Sequence, residues 1–189
     1  LFFALDYLEK DSPSDNDSRR ERWDELLGPD QPWEDPSAFS HPERSPGATL
    51  QARELRHELE DLISEFDRRR PEFWDTDRVS YLQAYQHAVV ARVLLNYHAA
   101  LARRAGASTL LGIRDALMAD NLLNILTREQ GKVLAFAHNS HLQTSFAQLP
   151  WYQWWPAGSH LRRLLGDSFV TIVGALGTSL ANGLERPEK

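Results

Sequence analysis

The chain has 189 residues, enough for one domain with a real core, and its 42% hydrophobic and 25% charged residues are those of a globular protein. A formal net charge of −6 argues against general affinity for nucleic acid, which needs clustered excess cation. No cysteine is present, which excludes disulfides, thiolate zinc sites and a cysteine nucleophile within it.

Leu1, Phe2, Leu5 and Leu8 open the chain at helical spacing. There is no initiating Met and no positively charged leader segment, so we expect the chain to begin inside a larger protein, with residues 1–189 forming the C-terminal part of a single domain. Residues 11–49 are rich in Pro, Ser, Asp and Glu, and Pro13, Pro29, Pro32, Pro36, Pro42 and Pro46 should break regular structure. An irregular acidic loop is expected there, with a short helix from Arg19 to Leu27 stopped by Gly28-Pro29.

Three amphipathic helices should follow. The first sets Leu55, Leu59, Leu62, Ile63 and Phe66 on one face and should end at Pro71. The second should run from Asp77 to a stop at Gly106, burying Leu82, Val89, Val93, Leu94, Tyr97 and Leu101. The third covers Leu111 to Gln130, with Ile113, Leu117, Leu122, Ile125 and Leu126 inward and Gly131 as its cap. Apolar runs such as Ala88 to Leu95 and Phe169 to Leu176 fall well short of the roughly 20 residues a membrane span requires.

After the third helix the pattern changes. Lys132 to Ala137 is a short apolar run between Gly131 and a polar His-Asn-Ser-His, as in a strand buried on both faces. Phe169 to Val173, after a short helix from His160 to Leu165 and the Gly166-Asp167 turn, is a second such run. Helices feeding buried strands imply an α/β class: a helix-rich piece of a mixed β-sheet domain flanked by helices.

His138-Asn139-Ser140-His141 lies just past the first of these runs, at the edge of an α/β sheet where ligands bind. Imidazoles three residues apart can face one cavity if a helix begins there, and this side chain titrates near neutrality, which suits proton transfer. Surface or core-packing histidines are the plainer alternative. The spacing departs from the zinc-protease pattern of histidines four apart with an intervening Glu. No Asp or Glu occurs from Gln130 to Gly166, so an orienting carboxylate or a third metal ligand would come from elsewhere, such as Asp115 or Asp120. A nucleophilic serine on a Gly-x-Ser-x-Gly turn is not expected: Gly177-Thr178-Ser179-Leu180-Ala181 lacks the second glycine, and Gly158-Ser159-His160 lacks the frame.

Arg114-Asp115-x-x-Met118-Ala119-x-Asn121-Leu122, Gly131-Lys132-Val133, Ala137-His138-Asn139-x-His141, Gly158-x-x-Leu161-Arg162 and Leu165-Gly166-Asp167 together resemble the second half of the erythromycin esterase family. Leu5-Asp6-Tyr7-Leu8-Glu9-Lys10 resembles that family's mid-chain helix. The likeness is dense from Arg114 to Gly174 and weak from Asp11 to Trp74. It implies hydrolysis of an ester, a macrolide lactone in some members, by activated water without a covalent enzyme intermediate. It also implies an early Gly-Glu-x-x-His-Gly segment that supplies a general base, and nothing here matches that segment.

Carried over by position, His138 and His141 correspond to the family's active-site histidine pair. Arg114 corresponds to a position beside the site, where it could hold a carboxylate or an oxyanion, or be a solvated helix arginine. Asn121 and Asn139 could supply hydrogen bonds or serve as caps. Trp151, with Tyr152, Trp154 and Trp155, could wall a site for a large apolar substrate, or pack in a core or at a partner surface. Trp23, Trp33 and Trp74 are read as loop anchors. The expectation is therefore a cytoplasmic carboxylic ester hydrolase with a small-molecule ester substrate, no organic cofactor, no nucleic acid and no membrane. The alternatives are a non-catalytic helical binding module and a divalent-metal-dependent hydrolase.

Overall fold

The structure, a computed structural model, describes residues 1–8, 10, 13–129 and 131–174. Helix α1 (Phe2–Leu8) buries Ala4, Leu5, Tyr7 and Leu8, in keeping with the opening apolar spacing. Helix α2 (Pro13–Leu27) begins earlier than the short Arg19–Leu27 helix expected. Proline is tolerated in a first helical turn, where its missing N–H has no intrahelical partner. With little apolar periodicity of its own, α2 docks through the Trp23 indole, the part-buried Leu26 and Leu27 at its end, and its charges. Trp23 is fully buried and its Nε1 donates to Glu58 at 2.7 Å, so it anchors a helix rather than a loop. Arg22 pairs with Glu54 and Glu58, and Arg20 with Asp6.

After α3 (Gln31–Glu34), three 3-10 turns occupy Pro36–Phe39, Pro42–Arg44 and Pro46–Ala48. Three of the prolines expected to break structure, Pro36, Pro42 and Pro46, each start one of these turns, because their fixed φ suits a first helical position. The last turn lies tight against the next long hairpin of helices: Ser45 donates to the carbonyl of His98 at 3.1 Å.

Helix α4 (Leu50–Trp74) buries the whole predicted face, Leu55, Leu59, Leu62, Ile63 and Phe66. It runs past Pro71 by one more turn. There Phe73 packs against Tyr7 and Tyr81 at ring-centroid distances of 5.3 and 6.0 Å, which offsets the hydrogen bond proline cannot make. Helix α5 (Arg78–Ala102) is rotated from the expected stripe. Tyr81, Ala84, Ala88 and Leu95 enter the core, whereas of the expected stripe Leu101 is buried, Leu82, Val89, Val93 and Tyr97 are half-buried and Leu94 is exposed. Alanines win the contact positions because short side chains let α4 and α5 approach closely. Arg104, with φ of 59°, makes the left-handed turn after α5, and Gly106 instead precedes the first residue of the next helix.

Helix α6 (Ala107–Arg128) fully buries only Leu110, Asp115 and Ala119. Ile113, Leu117, Leu122, Ile125 and Leu126 are half-buried. The helix divides its contacts between α5 on one side and the C-terminal segment on the other. That segment holds α7 (Asn139–Leu142), an antiparallel hairpin of β1 (Ala147–Gln148) and β2 (Gln153–Trp154), and α8 (Ala157–Leu165). Ala119, Ala157 and Leu161 form its own small core, with Met118, Leu122 and Phe169 packed against them.

The fold is of the helix-rich α/β kind, 72% helical with one two-strand sheet among the described residues, so the class follows the expectation. The two expected buried strands differ from it. Residues 132–137 and 169–173 form no ladder among the described residues, and Leu134, Phe136, Val170 and Ile172 are exposed. Their apolar composition suits a covered sheet, but a strand exists only with a neighbour to bond, and neither run has a ladder partner among the described residues. Among the described residues no helix is long and apolar enough to cross a membrane.

Candidate functional site

Asp115 and Ala119 stand one turn apart on α6, on the face that receives α8 and the hairpin. Asp115 is completely buried. An ionised carboxylate can be held there only if its lone pairs meet donors, and they do. Oδ2 accepts from the indole Nε1 of Trp154 at 2.7 Å and from the backbone N–H of Ala157 at 3.3 Å. Ala157 opens α8, so the positive end of that helix faces the carboxylate as well. The other oxygen, Oδ1, lies 2.7 Å from Nδ1 of His141.

His141 reaches Asp115 because a single helical turn forms directly after residues 132–137. His138 occupies the position before α7, in extended conformation (φ −63°, ψ 142°), and its Nδ1 accepts from the backbone N–H of Ser140 at 3.2 Å. An imidazole here does the capping work usually left to Ser, Thr, Asp or Asn. Its carbonyl accepts from the N–H of His141 at 2.9 Å, which closes the turn. The turn rests on α8: Gly158 packs against the backbone of Leu142 and Gln143. Asn139 donates from Nδ2 to the carbonyl of Gly174 at 2.5 Å, joining the end of one apolar run to the end of the other.

The two histidines therefore share one turn, His141 with a side chain 13% exposed and turned to Asp115, His138 exposed at the turn's start. The other residues singled out from sequence are dispersed. Arg114 follows α6 around to its opposite side, where it lines a recess of about 310 Å³ with Leu94, Tyr97, Ile113 and Leu117. Burial there pushes the Tyr97 hydroxyl up in pKa, with the Arg114 charge pulling it down. The Oδ1 of Asn121 accepts from Gln86 at 2.5 Å and ties α6 to α5. Trp151 is 84% exposed in the turn between β1 and β2.

Of the aromatic cluster, Trp154 takes the buried position, because its pairing with Ala147 in the hairpin sends the indole inward to Asp115. With Trp155, Phe146, Ser108 and His160 it lines a recess of about 350 Å³. Arg163 covers Trp155 at 4.3 Å from the ring centroid. The sequence pointed to Asp115 only as one source of an orienting carboxylate. The available signal was an acidic residue four before Ala119 on an otherwise apolar face. Nothing in the spacing of Trp154 marked it as the partner.

His141 and Asp115 already satisfy each other, and among the described residues no group of three or more His, Asp or Glu could hold a metal ion. The Gly177 to Ala181 segment lies outside the described residues. Chemically, a histidine backed by a buried carboxylate can take a proton at its outer nitrogen and hold the resulting charge. A family model described as erythromycin esterase matches residues 3–183. No curated protein and no solved structure matches the chain.

Proposed function

The chain belongs to the erythromycin esterase family, a hydrolase-type family, and from that premise we propose that the protein carrying it hydrolyses a carboxylic ester, with a macrolide lactone as the substrate the family name suggests. The observation that carries the reading is the 2.7 Å contact between His141 and the buried carboxylate of Asp115. That contact leaves the second ring nitrogen of His141 as a base whose positive form is stabilised at once.

In this scheme His141 takes a proton from water as the water oxygen bonds to the ester carbonyl carbon. His138, on the same turn, donates a hydrogen bond to the carbonyl oxygen as charge gathers there. The tetrahedral intermediate then breaks its C–O bond to the alcohol, which leaves with the proton held by His141. An acid and an alcohol, or an opened ring, result, and no bond to the protein forms. The recess of Trp154 and Trp155, which neither His138 nor His141 lines, is an apolar wall reached from the Asp115 side of the hairpin through Trp154. Macrolide resistance and a cytoplasmic location belong to the same proposal, as do Asn139 and Trp151 as substrate contacts; Arg114, on the other side of α6, and Asn121, bonded to Gln86, are left out of it.

The test is turnover by the natural-length protein of an aryl ester and of a macrolide, followed by mass spectrometry for the gain of one water. His138→Ala and His141→Ala should each lower kcat by about 10²- to 10⁴-fold. Absence of turnover in the parent, or near-normal turnover in both variants, would overturn the reading.

A further inference from the structure

We propose that Asp115 is a positioning residue that fixes which nitrogen of His141 can act, so that the two histidines of the turn carry opposite roles before any substrate arrives. This rests on the hydrolytic reading above but is decided by separate observations. A carboxylate oxygen can only accept, so the His141 nitrogen facing it at 2.7 Å, Nδ1, carries the proton. The lone pair of neutral His141 is then on Nε2, and the ring can act outward only as a base.

His138 is held the other way. Its Nδ1 receives the backbone N–H of Ser140 at 3.2 Å, and a backbone N–H cannot turn round to accept. The Ser140 hydroxyl, 2.8 Å from the same nitrogen, can rotate to suit. Neutral His138 therefore carries its proton on Nε2 and faces outward as a donor. The turn presents one acceptor and one donor, the complement that an attacking water and an ester carbonyl require.

The surroundings of Asp115 make this polarity testable with one atom changed. Its Oδ2 faces two donors that cannot reverse, the Trp154 indole N–H at 2.7 Å and the Ala157 backbone N–H at 3.3 Å. In Asp115→Asn the amide oxygen must stay with them, and the NH₂ group is left facing His141. Nδ1 of His141 then has to accept, its proton moves to Nε2, and the base becomes a second donor. Shape and packing barely change, because the two side chains are nearly isosteric.

The experiment is nitrogen NMR on the natural-length protein with labelled histidine, at a pH where the rings are neutral, alongside steady-state kinetics on an ester. Expected for the parent is an unprotonated Nε2 at His141 and a protonated Nε2 at His138. For Asp115→Asn we expect a protonated Nε2 at His141, a kcat lower by about 10²- to 10⁴-fold and little change in KM. A parent His141 protonated on Nε2, an Asn variant that keeps the parental tautomer, or an inverted tautomer with unchanged kcat would each overturn the proposal. If the parent hydrolyses no ester, the hydrolytic reading fails, while the tautomers of parent and variant still decide whether Asp115 sets the polarity of His141. Should the variant not fold, the parental spectrum decides alone.

Discussion

Gly158 lies so close to Leu142 that a methyl group on it would stand 2.3 Å from the Leu142 carbonyl oxygen and 2.5 Å from the carbonyl carbon. Both atoms are backbone, so a clash cannot be relieved by turning a side chain. The first turn of α8 and the histidine turn are thereby set at one separation, the one at which His141 meets Asp115.

Gly158→Ala should consequently push the two turns apart. Overpacking of this kind costs about 1–3 kcal/mol, read as a lower midpoint in urea unfolding. Ester turnover should fall more than stability explains, because the His141–Asp115 contact lengthens. A variant with parental stability and turnover would show that the separation is not held by this contact.

Trp23 gives a contrast far from the site. Trp23→Ala should cost about 3–5 kcal/mol, as large cavities do, whereas Trp23→Phe keeps most of the ring and loses the donor to Glu58. In chemical denaturation the Phe variant should lie well nearer the parent. Equal losses for the two would mean that the hydrogen bond, not the burial of the ring, holds α2 in place.

Burial holds the His98 imidazole below its ordinary pKa, and its Nδ1 is buried without a hydrogen-bond partner. The rings packed on it are Trp33 at 5.1 Å and Tyr97 at 6.0 Å. The unfolded chain, with an ordinary value near 6.5, then binds the proton more readily than the folded one. Stability from this group is fully present above about pH 6.5 and is lost as pH falls through that value toward the lower folded one. His98→Phe should flatten the slope of unfolding free energy between about pH 7.5 and about pH 5.5; an unaltered slope would assign the loss to other groups.

Leu134 is 90% exposed and Phe136 fully so, on backbone that forms no ladder, and Ile172 is 82% exposed on the second such run. Apolar, unpaired segments of this kind are templates for association. The isolated 189-residue chain should self-associate with rising concentration in sedimentation velocity. The double change Phe136→Lys and Ile172→Lys should reduce that tendency with stability within about 0.5 kcal/mol of the parent. Undiminished association would place the sticky surface elsewhere.

The long helices were readable because their period is written into one stretch of chain: Leu55 to Phe66 needs no knowledge of anything distant. Helix α5 was readable as a helix but not in its rotation, since which of Ala84, Ala88 or Val89 faces inward depends on how closely α4 approaches. The hairpin escaped notice because each strand is two residues long, too short for alternation to register. His138 and His141 stood out as a local cluster. Their different surroundings did not, because Asp115 lies 26 residues before His141 and its partner Trp154 lies 13 after, and the three are linked through Asp115 only by the packing of α6 against the hairpin and α8.

One carboxylate gathers donors from three stretches of chain: the histidine turn, the hairpin and the start of α8. Stripping water from Asp115 before all three arrive would strand a bare charge in an apolar setting, so half-assembled states of this quarter of the protein are disfavoured. Docking should thus be all-or-none. The amides of Ala157 and His141 should exchange their hydrogens with solvent at one common rate, through the same opening event.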